Sequence, residues 1–192
     1  MGMPDRQTNR LTADDWAAAA LDAMARGGLG AIAVEPIAAR LGATKGSFYW
    51  HFANRDALIT AALDRWESEH TEAVIRLVDA EPDPRERLRL LFLTVMEATA
   101  HDTVEVSLLS TADHPLVAPA LARVTQRRME YTAGLFAGLG FDASEAAARG
   151  LLAFSTYLGH VQLAHAMPHL VPGTAAARRD YVDHVITLLT AR

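Results

Sequence analysis

Residues 44–51 carry side chains whose chemistry suits contact with a nucleic acid. Within two turns of helix the segment has a cation at Lys45, a hydroxyl at Ser47 and aromatic rings at Tyr49 and Trp50. Ammonium, hydroxyl and phenol groups donate hydrogen bonds to phosphate oxygens and to base edges. The candidate contact residues are Thr44, Lys45, Gly46, Ser47, Tyr49, Trp50 and His51.

Two short helices are predicted to position these side chains. Residues 34–41 form the first and residues 45–51 the second, with Gly42 in the turn between them. The apolar side chains that can pack against a preceding helix at 12–26 are Ile37, Leu41, Phe48 and Phe52. An exposed Tyr and Trp are costly for solubility unless a partner covers them, and the major groove of DNA is such a partner. The pattern is typical of a helix-turn-helix.

Apolar residues recur at helical spacing along almost the whole chain, which predicts an all-α fold. The 37 alanines among 192 residues favour helix, and we find no alternating strand pattern. We expect about nine helices, at 12–26, 34–41, 45–51, 54–79, 85–100, 104–111, 119–139, 144–167 and 175–191. The predicted domains are a flexible N-terminus at 1–10, a helix-turn-helix domain at 11–53 and a larger helical domain at 54–192.

The charge of the chain is unevenly distributed. The net charge of −5 by itself argues against binding nucleic acid through bulk electrostatics. Residues 1–55 carry six basic and five acidic groups, whereas residues 56–192 carry 12 and 18. Residues 36–55 contain three basic residues and no acidic one, and Lys45 is the only lysine of the chain. We therefore expect DNA affinity to depend on dimerisation and specific contacts, with weak non-specific binding.

Several classes of protein are excluded or disfavoured. The absence of cysteine excludes disulfides and thiol catalysis, and the spacing of the histidines is not diagnostic of a metal site. There is no nucleophile elbow, phosphate-binding loop or dinucleotide fingerprint, so we expect neither an enzyme nor a cofactor. Residues 1–10 do not resemble a signal peptide, and histidines and prolines interrupt the uncharged stretch at 150–177. We therefore expect a soluble, cytoplasmic protein rather than a membrane protein.

The helix-turn-helix region resembles the DNA-binding signature of the TetR family of one-component transcriptional regulators. The resemblance covers about residues 11–60 and consists of a first helix ending in a glycine run, Ile37-Ala38, Leu41-Gly42, Lys45-Gly46-Ser47, Tyr49-Trp50-His51-Phe52, Asn54-Arg55 and Leu58. It implies a regulator, most often a repressor, that binds operator DNA as a homodimer. It also implies release by a small-molecule inducer held in the larger domain.

The resemblance implies particular roles for these residues. Residues 44–51 would supply the contacts of the recognition helix, with Tyr49 and His51 on phosphate rather than on bases. Arg55 would hold a phosphate. The sequence departs from the family in the first turn of the second helix, where Ala33-Val34-Glu35-Pro36 replaces the usual polar or basic residues. The resemblance therefore assigns no phosphate contact to that turn.

A dimer surface is predicted on the last two helices, where small and large apolar residues recur at helical spacing. The resemblance implies that they form a four-helix interface with the partner chain. The predicted interface residues are Ala147, Gly150, Leu151, Phe154, Leu158, Val161, Tyr181, Val182, Val185 and Leu189. The alternative is a purely intramolecular core.

A ligand pocket is predicted inside the larger domain, between the helices that span residues 54–167. The mixture of side chains there suggests a largely apolar ligand with one or two polar groups. The candidate lining residues are Trp66, Phe92, Met96, His101, Leu108, His114, Met129, Phe136, Tyr157 and His160, most of which we expect to be ordinary core. The alternative function is a helical ligand-binding or scaffold protein without DNA binding, which Glu35 and the net acidity favour.

Overall fold

A computed structural model of the chain describes residues 11–99 and 103–191. The predicted flexible segment at 1–10 lies outside these residues. The described part is helical and contains no strand, so the all-α prediction is confirmed. Its helices are α1 (Ala13–Gly27), α2 (Val34–Arg40), α3 (Lys45–Tyr49), α4 (Arg55–Glu67), α5 (Ala73–Asp79), α6 (Pro84–Thr99), α7 (Val104–Ser110), α8 (Val117–Gly138), α9 (Ala143–Ala166) and α10 (Ala175–Thr190).

Polar side chains fix where the first helices begin. The Thr12 hydroxyl accepts a hydrogen bond from the Asp15 amide, and the Asp15 carboxylate accepts one from the Thr12 amide at 2.7 Å. This reciprocal pair satisfies amide groups that the first turn of α1 leaves without partners. The Thr44 hydroxyl caps α3 by accepting a hydrogen bond from the Ser47 amide at 3.1 Å, and the Asn54 side chain caps α4 by accepting one from the Ala57 amide.

The first three helices close around aromatic side chains. Trp16 of α1 and Phe48 of α3 are fully buried, and their rings meet edge to face with centroids 5.4 Å apart. Gly42 ends α2 with φ of 63°, a conformation that costs a residue with a Cβ more than it costs glycine. The chain can therefore turn sharply between α2 and α3 and bring Phe48 back onto α1.

Two hydrophobic clusters hold the chain together. The first combines the helix-turn-helix with the buried face of α4, and it continues into α7 and the start of α8 through Val104, Leu108 and Val117. The second joins α5, α6, the end of α8, α9 and α10. Because α4 packs along α1, the first core extends well beyond residue 53, the end of the predicted DNA-binding domain.

The predicted helix at 54–79 is continuous but not uniform. A π-helical turn, Ser68–Glu72, joins α4 to α5. The buried positions before the turn are Leu58, Ile59, Ala62, Leu63 and Trp66, and those after it are Thr71, Ile75 and Val78. The step from Trp66 to Thr71 is five residues, which is the spacing of a π-turn. The extra residue of the π-turn keeps the buried positions before it and those after it on the side of the helix that faces the interior.

Helices α8 and α9 approach each other closely at a glycine. A Cβ on Gly150 would lie 3.0 Å from the backbone nitrogen of Ala133 and 3.2 Å from its Cα. These distances are shorter than in most Cβ contacts, and the facing atoms are backbone atoms, so a methyl group would push the two helices apart by a few tenths of an ångström. Gly150 therefore sets the separation of the two helices.

We expect Gly150→Ala to lower the free energy of unfolding by about 1–2 kcal/mol, because forcing a methyl group into a packed core costs more than the gain in helix propensity. Gly134→Ala is the matched control, since a Cβ there meets nothing within 4 Å. The control should raise the free energy of unfolding by about 0.5–1 kcal/mol. Urea unfolding followed by circular dichroism at one protein concentration measures both. Equal effects at the two positions would contradict the role given to Gly150.

Candidate functional site

The recognition helix presents large aromatic side chains to solvent. Tyr49 is 57% exposed and Trp50 is 82% exposed, although Phe48 between them and α1 is buried. The Tyr49 ring packs edge-on against Phe48, with centroids 5.1 Å apart. The position of Tyr49 is therefore fixed by the core while its phenol remains accessible.

The seven residues predicted in segment 44–51 lie together on this short helix and its caps. Ser47 and His51 are half-buried, and the other five are exposed, namely Thr44, Lys45, Gly46, Tyr49 and Trp50. The structure thus brings the candidate contact residues onto one accessible part of the helix-turn-helix.

Lys45 is paired with an acidic residue of α2. Its Nζ atom donates to Oε1 of Glu35 at 2.8 Å, and both side chains are largely exposed. This hydrogen bond lowers the pKa of Glu35 and raises the pKa of Lys45, so both groups are charged at neutral pH. The acidic residue that departs from the family pattern is therefore the partner of the only lysine.

Arg55 is engaged within the helix-turn-helix. Its Nε atom donates to the carbonyl of Ile32 at 2.5 Å, and Nη2 donates to the carbonyl of Leu29 at 2.9 Å. These carbonyls belong to the segment that joins α1 to α2. Arg55 therefore ties the start of α4 to that segment, which is a structural role that the sequence pattern does not reveal.

A small, partly open cavity lies between the π-turn and helices α5, α6, α8 and α9. Its volume is about 70 Å³. The lining residues are His70, Thr71, Val74, Ile75, Leu91, Phe92, Val95, Arg128, Tyr131, Thr132, Ala153, Phe154 and Tyr157. Sites that hold drug-sized ligands have about 300–1,000 Å³, so such a ligand would have to displace side chains.

Arg128 is the charged residue at the wall of this cavity. Its Nη1 atom donates to both carboxylate oxygens of Glu105 on α7 at 3.0 Å, and Nε donates to the Thr71 hydroxyl at 2.8 Å. Nη2 donates to the carbonyl of His70, and the guanidinium lies over the Trp66 ring, 5.1 Å from its centroid. The Arg128 and Glu105 side chains are only 13% and 9% exposed. Arg128 therefore connects α8 to α4, α7 and the π-turn.

Tyr131 adds a second polar group to the cavity wall. Its hydroxyl donates to the Asp79 carboxylate at 2.8 Å. Burial and this hydrogen bond raise the pKa of Tyr131, so the phenol stays protonated at physiological pH. The cavity thus combines apolar walls with two fixed hydrogen-bonding groups.

Of the ten residues predicted for the pocket, Phe92 and Tyr157 line the cavity. Trp66 and Leu108 belong to the first hydrophobic cluster, whereas Met96 and Phe136 belong to the second. His114 accepts from the Leu116 amide, Met129 lies in a shallow surface groove on α8, and His101 falls outside the described residues. His160 stacks on Tyr181, and burial lowers its pKa. The helical spacing in the sequence identified helix faces that are buried. It could not show which of these faces leave room for a ligand.

Six of the ten residues predicted for the dimer surface are buried within the chain itself. They are Gly150, Phe154, Val161, Val182, Val185 and Leu189. A buried side chain offers no area to a partner, so these six are not available for a dimer surface in this conformation. Ala147 and Leu151 are exposed, while Leu158 and Tyr181 are half-buried.

Helices α9 and α10 nevertheless leave other apolar residues exposed. On α9 the exposed positions 148, 152, 155, 159 and 163 recur every three or four residues and so lie on one face. This face carries Leu152 and Leu163 with small residues between them, and α10 exposes Leu188. The exposed apolar residues of these two helices therefore differ in part from the ones that the sequence pattern predicts for a dimer surface.

Two absences hold for residues 11–99 and 103–191. Within these ranges, no group of three or more His, Asp or Glu side chains is arranged to hold a metal ion. None of the helices described there is both long and apolar enough to span a membrane.

Comparisons with known proteins agree with this architecture. Residues 17–62 match the family model described as bacterial regulatory proteins, tetR family. No curated protein matches the sequence significantly.

Solved structures resemble the fold over nearly its whole length. A transcriptional regulator from Rhodococcus sp. Rha1 is 22% identical with a TM-score of 0.76, covering 93% of this chain and 96% of that one. A TetR-family regulator from Agrobacterium tumefaciens is 19% identical with a TM-score of 0.75, covering 93% and 97%. FadR from Bacillus subtilis, solved with stearoyl-CoA, is 15% identical with a TM-score of 0.70, covering 92% and 97%.

Three observations agree with one another. The three-helix head, formed by α1, α2 and α3, exposes its recognition helix. The family model matches this region, and the whole fold is shared with solved structures. Residues 17–62 are thus similar to the bacterial regulatory proteins of the tetR family, and the fold as a whole is similar to that of solved regulators.

Proposed function

We propose that the protein is a cytoplasmic transcriptional repressor that binds operator DNA as a homodimer and is released by a small, largely apolar ligand. Members of the TetR family are transcription factors rather than enzymes, and the match of residues 17–62 to that family supports the same role here. The observation that carries the proposal is the exposure of Tyr49 and Trp50 beside Lys45 on a helix whose other face is buried. Such rings are costly in water and suit the major groove.

Dimerisation follows from the size of the DNA-binding surface. One helix-turn-helix buries too little area for operator affinity, and two copies related by a twofold axis read two half-sites. The apolar face of α9 and Leu188 on α10 are the surfaces that we assign to the partner chain. Small residues between Leu152 and Leu163 allow the helices of two chains to approach closely.

The ligand is proposed to enter the cavity beside Arg128. Apolar walls from α5, α6 and α9 favour a hydrocarbon or aromatic body, while Arg128 and Tyr131 supply polar contacts. One structural relative, FadR, was solved with stearoyl-CoA, which has a long apolar chain. The α4–π–α5 helix borders both the cavity and the helix-turn-helix, so a ligand that displaces the π-turn would shift the recognition helix.

We expect the protein to bind the DNA upstream of its own gene, or sequences selected from random DNA. Affinity should fall as salt rises, because phosphate contacts release counterions. Tyr49→Ala and Lys45→Ala should each lower operator affinity about tenfold or more, since each removes hydrogen bonds to DNA. Fluorescence anisotropy with labelled duplex measures the change.

Leu77→Ala is the matched control for these variants, because Leu77 is 50% exposed on α5, outside the helix-turn-helix. All variants should keep the helicity and the dimer mass of the wild type. Normal binding by either head variant would contradict the assignment of α3. Absence of any DNA binding at low salt would favour a scaffold or ligand-binding protein instead.

We expect Leu152→Glu and Leu188→Glu to convert the dimer to a monomer, because an interface would bury an uncompensated carboxylate. Light scattering after size-exclusion chromatography measures the mass. Leu77→Glu is the control and should remain dimeric. Dimers that persist in both variants would place the interface elsewhere.

We expect Ala153→Leu to make the protein insensitive to its ligand, because the larger side chain fills the cavity that Ala153 lines. Small apolar compounds with one polar group would be screened for release of labelled operator, with stearoyl-CoA included. A hit should also raise the melting temperature of the wild type but not that of the variant. A hit that acts equally on both proteins would contradict this cavity as the site.

A further inference from the structure

The helix-turn-helix has few cations to offer to DNA. Within residues 11–55 there are four basic side chains, and the protein itself engages all of them. Arg26 and Arg40 pair with Asp22 at 2.7 and 2.8 Å, and Arg55 donates to two backbone carbonyls. Lys45 pairs with Glu35. Binding by this head must therefore depend on directional contacts more than on bulk charge.

Beside DNA, a carboxylate at the position of Glu35 is unfavourable unless a hydrogen-bond donor pairs with it. It is 73% exposed and sits next to Lys45, so it faces the same partner as the recognition helix. A carboxylate repels phosphate oxygens, which lowers affinity for DNA of any sequence. Lys45 compensates part of this charge, and a hydrogen bond from a base to the carboxylate would compensate more of it.

The distance between the Lys45 ammonium and the Glu35 carboxylate matches the distance between two atoms of one base pair. Lys45 Nζ is a donor, Glu35 Oε1 is an acceptor, and they lie 2.8 Å apart. In the major groove a G·C pair presents guanine O6 as an acceptor beside cytosine N4 as a donor. These two atoms are Watson–Crick partners and so lie about 2.9 Å apart, the usual distance of an N–H···O hydrogen bond.

We propose that Glu35 and Lys45 read one G·C pair as a unit, with Lys45 donating to guanine and Glu35 accepting from cytosine N4. This inference rests on the proposed DNA-binding function. An A·T pair also places a donor beside an acceptor, but guanine adds N7 as a second acceptor for the ammonium, whereas thymine places a methyl group next to O4. The unit therefore prefers G·C. It also turns an unfavourable charge into a means of rejecting other sequences.

The test is selection of bound sequences from random DNA with the wild type, Glu35→Ala and Lys45→Ala. The wild-type site should contain a G·C pair in each half whose replacement by A·T weakens binding roughly tenfold or more, the discrimination typical of a good base contact. Both variants should lose the preference at that position and keep it at the others. Glu35→Ala should also bind random duplex more tightly, because a carboxylate is removed and Lys45 is free for phosphate.

Glu86→Ala is the control, since it removes an exposed carboxylate from α6, outside the head, and should change no base preference. A uniform rise in affinity for Glu35→Ala with unchanged preferences would overturn the proposal and make Glu35 a general repulsive charge. Unchanged binding by Glu35→Ala would overturn it as well. If the wild type selects no sequence at all, the DNA-binding function fails, and the two failures are thereby distinguished.

Discussion

The buried ion pair between Arg128 and Glu105 is the interaction on which the arrangement of the helices most depends. Removing one partner of a buried pair typically costs about 3–5 kcal/mol, because the remaining charge is left without compensation. Here the guanidinium also holds the Thr71 hydroxyl and the His70 carbonyl, and it covers the Trp66 ring. The Arg128 side chain thus fixes α7, α8 and the π-turn after α4 relative to one another. These contacts lie where the two hydrophobic clusters meet.

This position links the cavity to the helix-turn-helix. The backbone of the π-turn is held on one side by Arg128, while α4 before it packs along α1 in the first cluster. π-turns occur often at functional sites, because the extra residue weakens the regular hydrogen-bond ladder locally. Under the proposed function, a ligand in the cavity would compete for the same space and contacts that keep this turn in place.

The helix-turn-helix could be predicted from the sequence, because its signals are local. The polar contacts around Arg128 could not, because they join residues that lie far apart in the sequence. Local signals, namely the caps at Thr12, Thr44 and Asn54 and the glycine at the α2–α3 turn, define the helix-turn-helix. The Arg128–Glu105 pair joins residues 23 positions apart on different helices, and Arg127-Arg128 looks like solvated surface charge in the sequence. Gly150 was assigned to a partner chain because small residues suit any close helix pair, whereas it packs against Ala133 of the same chain. The five-residue step between Trp66 and Thr71 could not be read from the sequence either, because Thr71 is polar and nothing in the pattern marks it as buried.

The restriction of lysine to one position has a chemical consequence. All other cationic side chains in the sequence are arginines, whose guanidinium groups resist acylation at neutral pH. Acetylation or an amine-directed crosslinker would therefore modify one side chain of the chain, on the recognition helix. Neutralising that ammonium would release Glu35 from its partner and leave an uncompensated negative charge on α2. A modification of a single residue would thus turn this neutral ion pair into a net negative charge while leaving the larger domain unchanged.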